Sequence, residues 1–223
     1  MKAIISDIHG NYVALQAVLK SIDEQDVDEI YCLGDIVGYY SQVNECCEEL
    51  RKRNVKCVLG NHDWYMVCGM HCERSRSVND CLVYQRKILT EENHAWLRSL
   101  PIAIICDDFC MVHGGWKNPI DEYLEPSEEY FKSFHGGIFF SGHTHRAIVK
   151  QIRKCLLYCN PGSVGQPRDW DNRASYALFD GVQCSIIRIP YDYKMVGKLM
   201  EEAGFSSYYY GCLYDGSSNL HGL

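Results

Sequence analysis

The chain has no apolar run long enough to cross a bilayer, and its first residues, MKAIISDIHG, reach a charge at Asp7 after one lysine and four apolar residues, which is not an export signal. A cytoplasmic protein without a membrane partner is the expectation. Positive charge is also in short supply. With 22 Lys and Arg against 29 Asp and Glu, the formal net charge is -7, which argues against a general surface for nucleic acid or anionic lipid. Anionic substrates stay allowed, because bound divalent cations reverse a local field. CxxC pairs are missing despite thirteen cysteines. The pairs Cys106/Cys110 and Cys155/Cys159 fall in or beside strand-like apolar runs, so reduced, mostly buried thiols are expected. Cys68, His71 and Cys72 form the one cluster that merits a check for metal. Repeats, low-complexity linkers and breaks in composition are absent, so one domain is expected over 1–204, followed by a tail, 205–223, without a clear pattern.

What is present is strongly ordered. KAIIS (2–6), EIYCL (29–33) and VKCVL (55–59) read as buried strands. They are separated by helical spacings in NYVALQAVLKSIDEQ (11–25) and SQVNECCEELRKR (41–53). This β-α-β-α-β order within sixty residues predicts parallel pairing. Residues 62–100 read as helical and Pro101 closes them. Seven strand-like runs follow, and YDYKMVGKLMEEAG (191–204) is a last helix stopped by Gly204.

Polar residues able to bind metal collect just past the carboxyl ends of the strands, where α/β sheets bind ligands. They are Asp7 and His9, Asp35, Asn61 and His62, His113, and His143 and His145. Gly10, Gly34, Gly60, Gly114 and Gly142 lie beside them and allow sharp turns or close approach. In FFSGHTHRA (139–147), His143 and His145 would point to opposite faces of a regular strand, so both reach one site only if the chain leaves the strand at Gly142. Carboxylates, an amide oxygen and imidazoles without thiolate suit Mn²⁺, Fe, Zn²⁺, Co²⁺ or Ni²⁺ better than Ca²⁺ or Mg²⁺. Even without His62, seven candidate ligand residues are too many for one tetrahedral ion, so two divalent cations are expected, Mn²⁺ first among them.

DIHG, GD, GNHD, VHGG and GHTH, in that order, resemble the signature of the calcineurin-like metallophosphoesterases. SDIHGN, CLGDIVGYY, NPGSVGQPRD and RASYALFDG resemble the small bacterial-type phosphodiesterase branch that contains the YfcE-like enzymes. The resemblance implies an α/β fold, a four-layer αββα sandwich of two mixed sheets flanked by helices. It further implies that Asp7, His9 and His145 hold one metal, that Asn61, His113 and His143 hold the other, and that Asp35 bridges them. A bridging water would then be the nucleophile, and His62 would assist the leaving oxygen. The protein phosphatases of the superfamily carry a second Asp and an Arg-Gly after the GD pair. Here Asp35 is followed by Ile36-Val37-Gly38-Tyr39, so Gly38 stands where an acidic partner of the catalytic histidine would be, and Asp63 is the candidate substitute.

Asn11 and Arg168 are candidate substrate contacts, with a helix cap and an Arg-Asp surface pair as their structural alternatives. Trp64, Tyr65, Trp116 and Trp170 could stack on a base or pack in the core. The expected activity is hydrolysis of a small phosphate ester, foremost a nucleotide-type phosphodiester such as a cyclic nucleotide or a dinucleoside polyphosphate. The alternatives are a phosphomonoesterase (protein phosphatase included), a small nuclease acting on short oligonucleotides, and a non-catalytic scaffold. No extended nucleic acid is expected as a partner, and homo-oligomerisation is open.

Overall fold

A computed structural model describes residues 1–217. Two five-stranded mixed sheets lie face to face. The first contains β1 (Lys2–Ile5), β2 (Glu29–Cys32), β3 (Lys56–Cys57), β9 (Ala174–Phe179) and β10 (Cys184–Ile189), in the order β10-β9-β1-β2-β3. Strands β1, β2 and β3 run parallel, as their helical connections require, while β9 is antiparallel to both β1 and β10. The second sheet contains β4 (Ala103–Ile105), β5 (Cys110–Val112), β6 (Gly137–Phe140), β7 (Ile148–Arg153) and β8 (Leu156–Asn160), in the order β4-β5-β6-β8-β7.

Side-chain alternation divides the strands between layers. Ile4, Tyr31, Leu33 and Val58 from the first sheet meet Met111, Phe140 and Cys159 from the second, with Phe109 and Phe179 packed edge to face. Ala3, Ile5, Cys32 and Cys57 point the other way, into the helices. There α1 (Tyr12–Asp23) supplies Leu15, Val18, Leu19 and Ile22, and α2 (Val43–Lys52) supplies Val43, Cys46, Cys47 and Leu50. Helices α3 (Asn61–Cys68), α4 (Arg76–Ile88), α5 (Glu91–Ser99) and α6 (Tyr193–Glu202) complete this side, and Gly204 ends α6 with φ +88°. The second sheet's outer face is covered differently. Phe139, Leu156 and Tyr158 pack against Leu124, Phe131 and Trp116 from the segment joining β5 and β6, which forms turns. Pro119 and Pro126 interrupt that segment, which accounts for the turns.

All thirteen cysteines are free thiols and eight are buried. Cys46, Cys47 and Cys57 sit among the aliphatic residues as small core side chains, with burial pushing their thiols well up. Cys68 and His71 are exposed while Cys72 is buried, and among the described residues they form no group able to hold a metal. The first part of the tail is packed: Tyr209 Oη donates to Asp80 at 2.9 Å, and Cys212 and Leu213 are buried. Residues 218–223 of the expected tail lie outside the described residues. No helix among the described residues is long and apolar enough to cross a membrane.

Asn11 is the N-cap of α1. Its Oδ1 accepts from the Ala14 N–H at 3.0 Å and its Nδ2 donates to the Gly165 carbonyl at 2.9 Å, within a fully buried setting. The helix cap, the structural alternative to a substrate contact, is thus the role observed, and the amide also joins the first loop to the 160s. Asn11→Ala should cost roughly 1–3 kcal/mol in urea unfolding, a lost cap plus an unpaired buried carbonyl. A change below about 0.5 kcal/mol, the scale of ordinary surface substitutions, would contradict this role.

Candidate metal centre

The loops after β1 and β2 are laced together before any side chain is considered. The Asp7, His9 and Gly10 N–H groups donate to the Gly34, Asp35 and Ile36 carbonyls at 3.0, 2.9 and 2.8 Å. Seven non-glycine residues among those described have positive φ, and five of them are expected ligands: Asp7 (53°), His9 (56°), Asp35 (52°), His143 (65°) and His145 (58°). Left-handed backbone costs a side chain of this kind on the order of 1 kcal/mol or more, so the cluster marks strain held at a site. It also explains how alternating histidines converge. His143 and His145 have both left strand geometry, and Gly142 has no room for a Cβ, which would lie against Ser6 Oγ and 2.8 Å from Asp7 Oδ2.

The seven expected ligands are brought together and are all buried. Ligand atoms of Asp7, His9, Asp35 and His145 lie within 4.8 Å of one another, as do those of Asp35, His113 and His143. Asp35 belongs to both groups, and its Oδ2 lies 3.4 Å from His113 Nε2 and 3.7 Å from His9 Nε2. Asn61, the first residue of α3, brings Oδ1 to 3.0 Å from His113 Nε2.

Three imidazoles are fixed from behind. Nδ1 of His9 donates to the Val37 carbonyl at 3.0 Å, that of His113 to Leu33 at 2.8 Å and that of His145 to Gln166 at 2.6 Å. Each bond sets the tautomer that aims Nε2 into the site. Burial pushes His9 and His145 below the usual histidine range, helped by His62 for the first and Arg168 for the second, so both are neutral near pH 7. Their Nε2 atoms nevertheless face each other at 3.0 Å. Two lone pairs at that distance, with both ring protons committed elsewhere, are arranged as ligands to one cation. Burial likewise holds His143 down to about 2; its Nδ1 lies 3.2 Å from His113 Nε2, while its Nε2 lies 3.5 Å from Asp121 Oδ1. Burial works against His113 too, but Asp35 overcomes it and holds this ring protonated up to about 10. Asp7 and Asp35 remain ionised well below the usual carboxylate range despite burial, held there chiefly by His145 and His113 respectively. The donor set therefore fits two divalent cations sharing Asp35.

His62 follows Asn61 on α3 and lies beside this cluster, with Nε2 at 3.9 Å from Asp35 Oδ2 and its ring 4.7 Å from that of His9. Burial pushes it down to about 4, against the pull of Asp35. Its Nδ1 is buried and has no hydrogen-bond partner among the described residues. Asp63 does not orient it, contrary to the substitute role suggested by sequence. The Asp63 carboxylate accepts N–H groups of Ile36, Val37 and Gly60 at 2.9, 3.0 and 3.0 Å, clamping the second and third loops. Burial and Asp35 push its pKa up to about 7. The neighbour of His62 Nδ1 is Gly38.

Arg168 has no carboxylate within ion-pair distance among the described residues, so the Arg-Asp pair is excluded; Asp169 pairs with Arg188 instead. The Arg168 guanidinium donates to Gln166 Oε1 and, at 2.9 Å, to Tyr39 Oη, whose ring is 4.7 Å from His9 and 5.1 Å from His62. Trp116 packs among Phe131, Phe134 and Phe139 as core, and Trp64 and Trp170 are exposed. Sequence reasoning missed Gln166, which holds both His145 and Arg168, and Tyr123, whose ring centroid lies 4.1 Å from that of His143. Gln166 was visible inside GQPRD. Tyr123 carried no signal, because it lies in the irregular segment after β5.

Gly38 has φ +139°, and a Cβ there would run into Nδ1 of both His62 and His9. Gly38→Ala should therefore weaken Mn²⁺ binding at least about tenfold, the consequence of moving a ligand and its backbone anchor. Calorimetric titration of metal-stripped protein checks this, and unchanged affinity would show that the site tolerates movement of His9.

Comparison with known proteins agrees with this geometry. The family model of the calcineurin-like phosphoesterase superfamily domain matches residues 1–183. An uncharacterised protein of Methanocaldococcus jannaschii is 37% identical over 218 residues, covering 87% of this chain and 89% of that protein. The crystal structure of a metallophosphoesterase from Sphaerobacter thermophilus superposes with a TM-score of 0.83 at 34% identity, covering 96% of this chain and 98% of that one. A symmetrical bis(5'-nucleosyl)-tetraphosphatase of Actinobacillus pleuropneumoniae is 31% identical over 108 residues, 45% of this chain and 39% of the enzyme, so that likeness spans less than half of either. With five strand-end loops converging on paired His/Asp groups, and a family model spanning most of its length, the chain belongs to the calcineurin-like phosphoesterase superfamily.

Proposed function

We propose that the protein is a dinuclear-metal hydrolase of small phosphate esters, foremost a nucleotide-type phosphodiester. Asp7, His9 and His145 hold one cation; Asn61, His113 and His143 hold the other; Asp35 is shared. The observation that carries this reading is the 3.0 Å approach of two imidazole Nε2 atoms whose Nδ1 protons are both engaged by carbonyls, beside two buried carboxylates. Two cations, with Mn²⁺ the first expectation, supply Lewis acidity and lower the pKa of bound water when present.

The chain's own residues then divide the remaining work. Asp7 and Asp35 supply the negative charge that retains cations in a buried site. The backbone carbonyls of Val37, Leu33 and Gln166 keep three imidazoles in the ligating tautomer. His62, kept neutral by burial, would hydrogen-bond through one ring N–H to the oxygen that leaves phosphorus and stabilise the charge building there. Gly38 makes room for that ring and supplies no carboxylate to it, a departure from the protein phosphatases that favours a different ester class. Arg168, held without a carboxylate partner, is available to a phosphoryl oxygen. The tetraphosphatase relative supports a nucleotide-type substrate, although the match covers only part of that enzyme. Every expected ligand and His62 are present and converge, which disfavours a scaffold role.

Metal-stripped protein should hydrolyse bis(p-nitrophenyl) phosphate only after Mn²⁺ is restored, and faster than p-nitrophenyl phosphate. A preference for the monoester would move the reading to a phosphatase, and no turnover with two cations bound would overturn it. His62→Ala should retain metal stoichiometry but lose about 10²–10³-fold in kcat, the range for one hydrogen-bond donor to developing charge. A loss below threefold would remove His62 from the chemistry.

A further inference from the structure

A cleft of about 480 Å³ opens beside the metal centre, lined by Tyr123, Leu124, Pro126, Thr144, Arg146 and Ile148 among others, with Arg168 at its inner end. It adjoins the candidate ligands at three points. Tyr123 packs on the His143 ring, Thr144 lies between His143 and His145, and the Arg168 N–H donates to the His145 carbonyl at 3.1 Å. A larger hollow of about 660 Å³ is lined by Met66, Val67, Arg86 and His94 and reaches none of the candidate ligands.

The cleft has two chemical ends. Arg168 and Arg146 are its cations, and neither has a carboxylate within ion-pair distance among the described residues, although most other arginines here are paired or bonded to carbonyls. Arg168 is held in place by Gln166 and Tyr39, whereas Arg146 is exposed. The rest of the lining is largely apolar: Leu124, Pro126, Ala147 and Ile148, with 54% of Tyr123 and 37% of Ile148 left exposed. Glu125 also lines the cleft, which disfavours an anion on that wall and offers an acceptor to an amino or hydroxyl group. Guanidinium groups without a carboxylate partner among the described residues, in one cleft with an apolar lining and beside the candidate ligands, match a ligand with a second phosphate and an organic ring system.

We propose that this cleft is the subsite for the non-reacting half of the substrate, with a second phosphate between Arg168 and Arg146 and a nucleoside-sized group against Tyr123, Pro126 and Ile148. The inference rests on the phosphoesterase reading and narrows it. An ester carrying two or more phosphates uses both cations of the cleft, whereas a cyclic nucleotide, whose single phosphate sits at the metals, leaves Arg146 unused.

The test is calorimetric binding of inorganic phosphate, AMP and ADP to the Mn²⁺-loaded full chain and to metal-stripped chain, with Arg146→Gln and Tyr123→Leu alongside. Both side chains are exposed, so the variants should fold; Arg146→Glu serves as a second variant at the arginine. ADP is expected to bind at least tenfold tighter than inorganic phosphate. Arg146→Gln should reduce that ratio about tenfold and Arg146→Glu further, while Tyr123→Leu should lower AMP affinity relative to phosphate. Ratios within twofold of wild type in all variants would overturn the subsite. Hydrolysis of bis(p-nitrophenyl) phosphate in the same preparations separates the two readings. Turnover with unchanged binding ratios overturns the subsite alone, and altered ratios without turnover of any ester overturn the phosphoesterase reading and leave the cleft as a nucleotide-binding site only.

Discussion

Unshared lone pairs brought face to face in a buried site are the constraint on which the rest of this molecule depends. Imidazole nitrogens at 3.0 Å, with their ring protons drawn off by backbone carbonyls, repel one another unless they share a cation. The two carboxylates beside them are fully or almost fully buried and ionised, and would be costly without compensation. The fold offsets this with two broad apolar layers, one between the sheets and one beneath the helices, that remain intact up to the strand ends. Stability is concentrated in those layers, and strain is concentrated in the loops above them, where five candidate ligands take left-handed backbone.

Sharing between loops makes the strained arrangement rigid. Asp63 gathers three N–H groups from two loops, Ser163 Oγ donates to the Asp7 carbonyl at 2.7 Å, and Asn160 Nδ2 donates to the Gly142 carbonyl at 2.7 Å. None of these groups is a candidate ligand. They fix the positions of residues that are, and Gln166 extends the same logic outward to Arg168 and, through a 3.6 Å contact with Cys212 Sγ, to the packed part of the tail. The chemistry proposed for the site is thus supported by residues from the first loop to position 212.

Much of this was legible in the sequence, for a specific reason. An apolar strand that ends in Gly and then Asp, His or Asn combines a structural stop with a ligand, and it recurs at five strand ends in the order that the resembled family uses. The strands β1, β2 and β3 pair in parallel as their spacing implied. What stayed hidden depends on contacts between distant positions. The amide of Asn11 is consumed by Gly165, Asp63 turns to backbone N–H groups rather than to His62, and Tyr123 reaches His143 from a segment without periodicity. The turn-rich cover over the second sheet was equally invisible, since a cluster built around Phe131 has no repeat to read.

Anomalous diffraction from crystals grown with Mn²⁺ tests the central claim most directly. The account predicts two peaks flanking Asp35, one contacted by Asp7, His9 and His145 and the other by Asn61, His113 and His143. A single peak, or density away from Asp35, would contradict it.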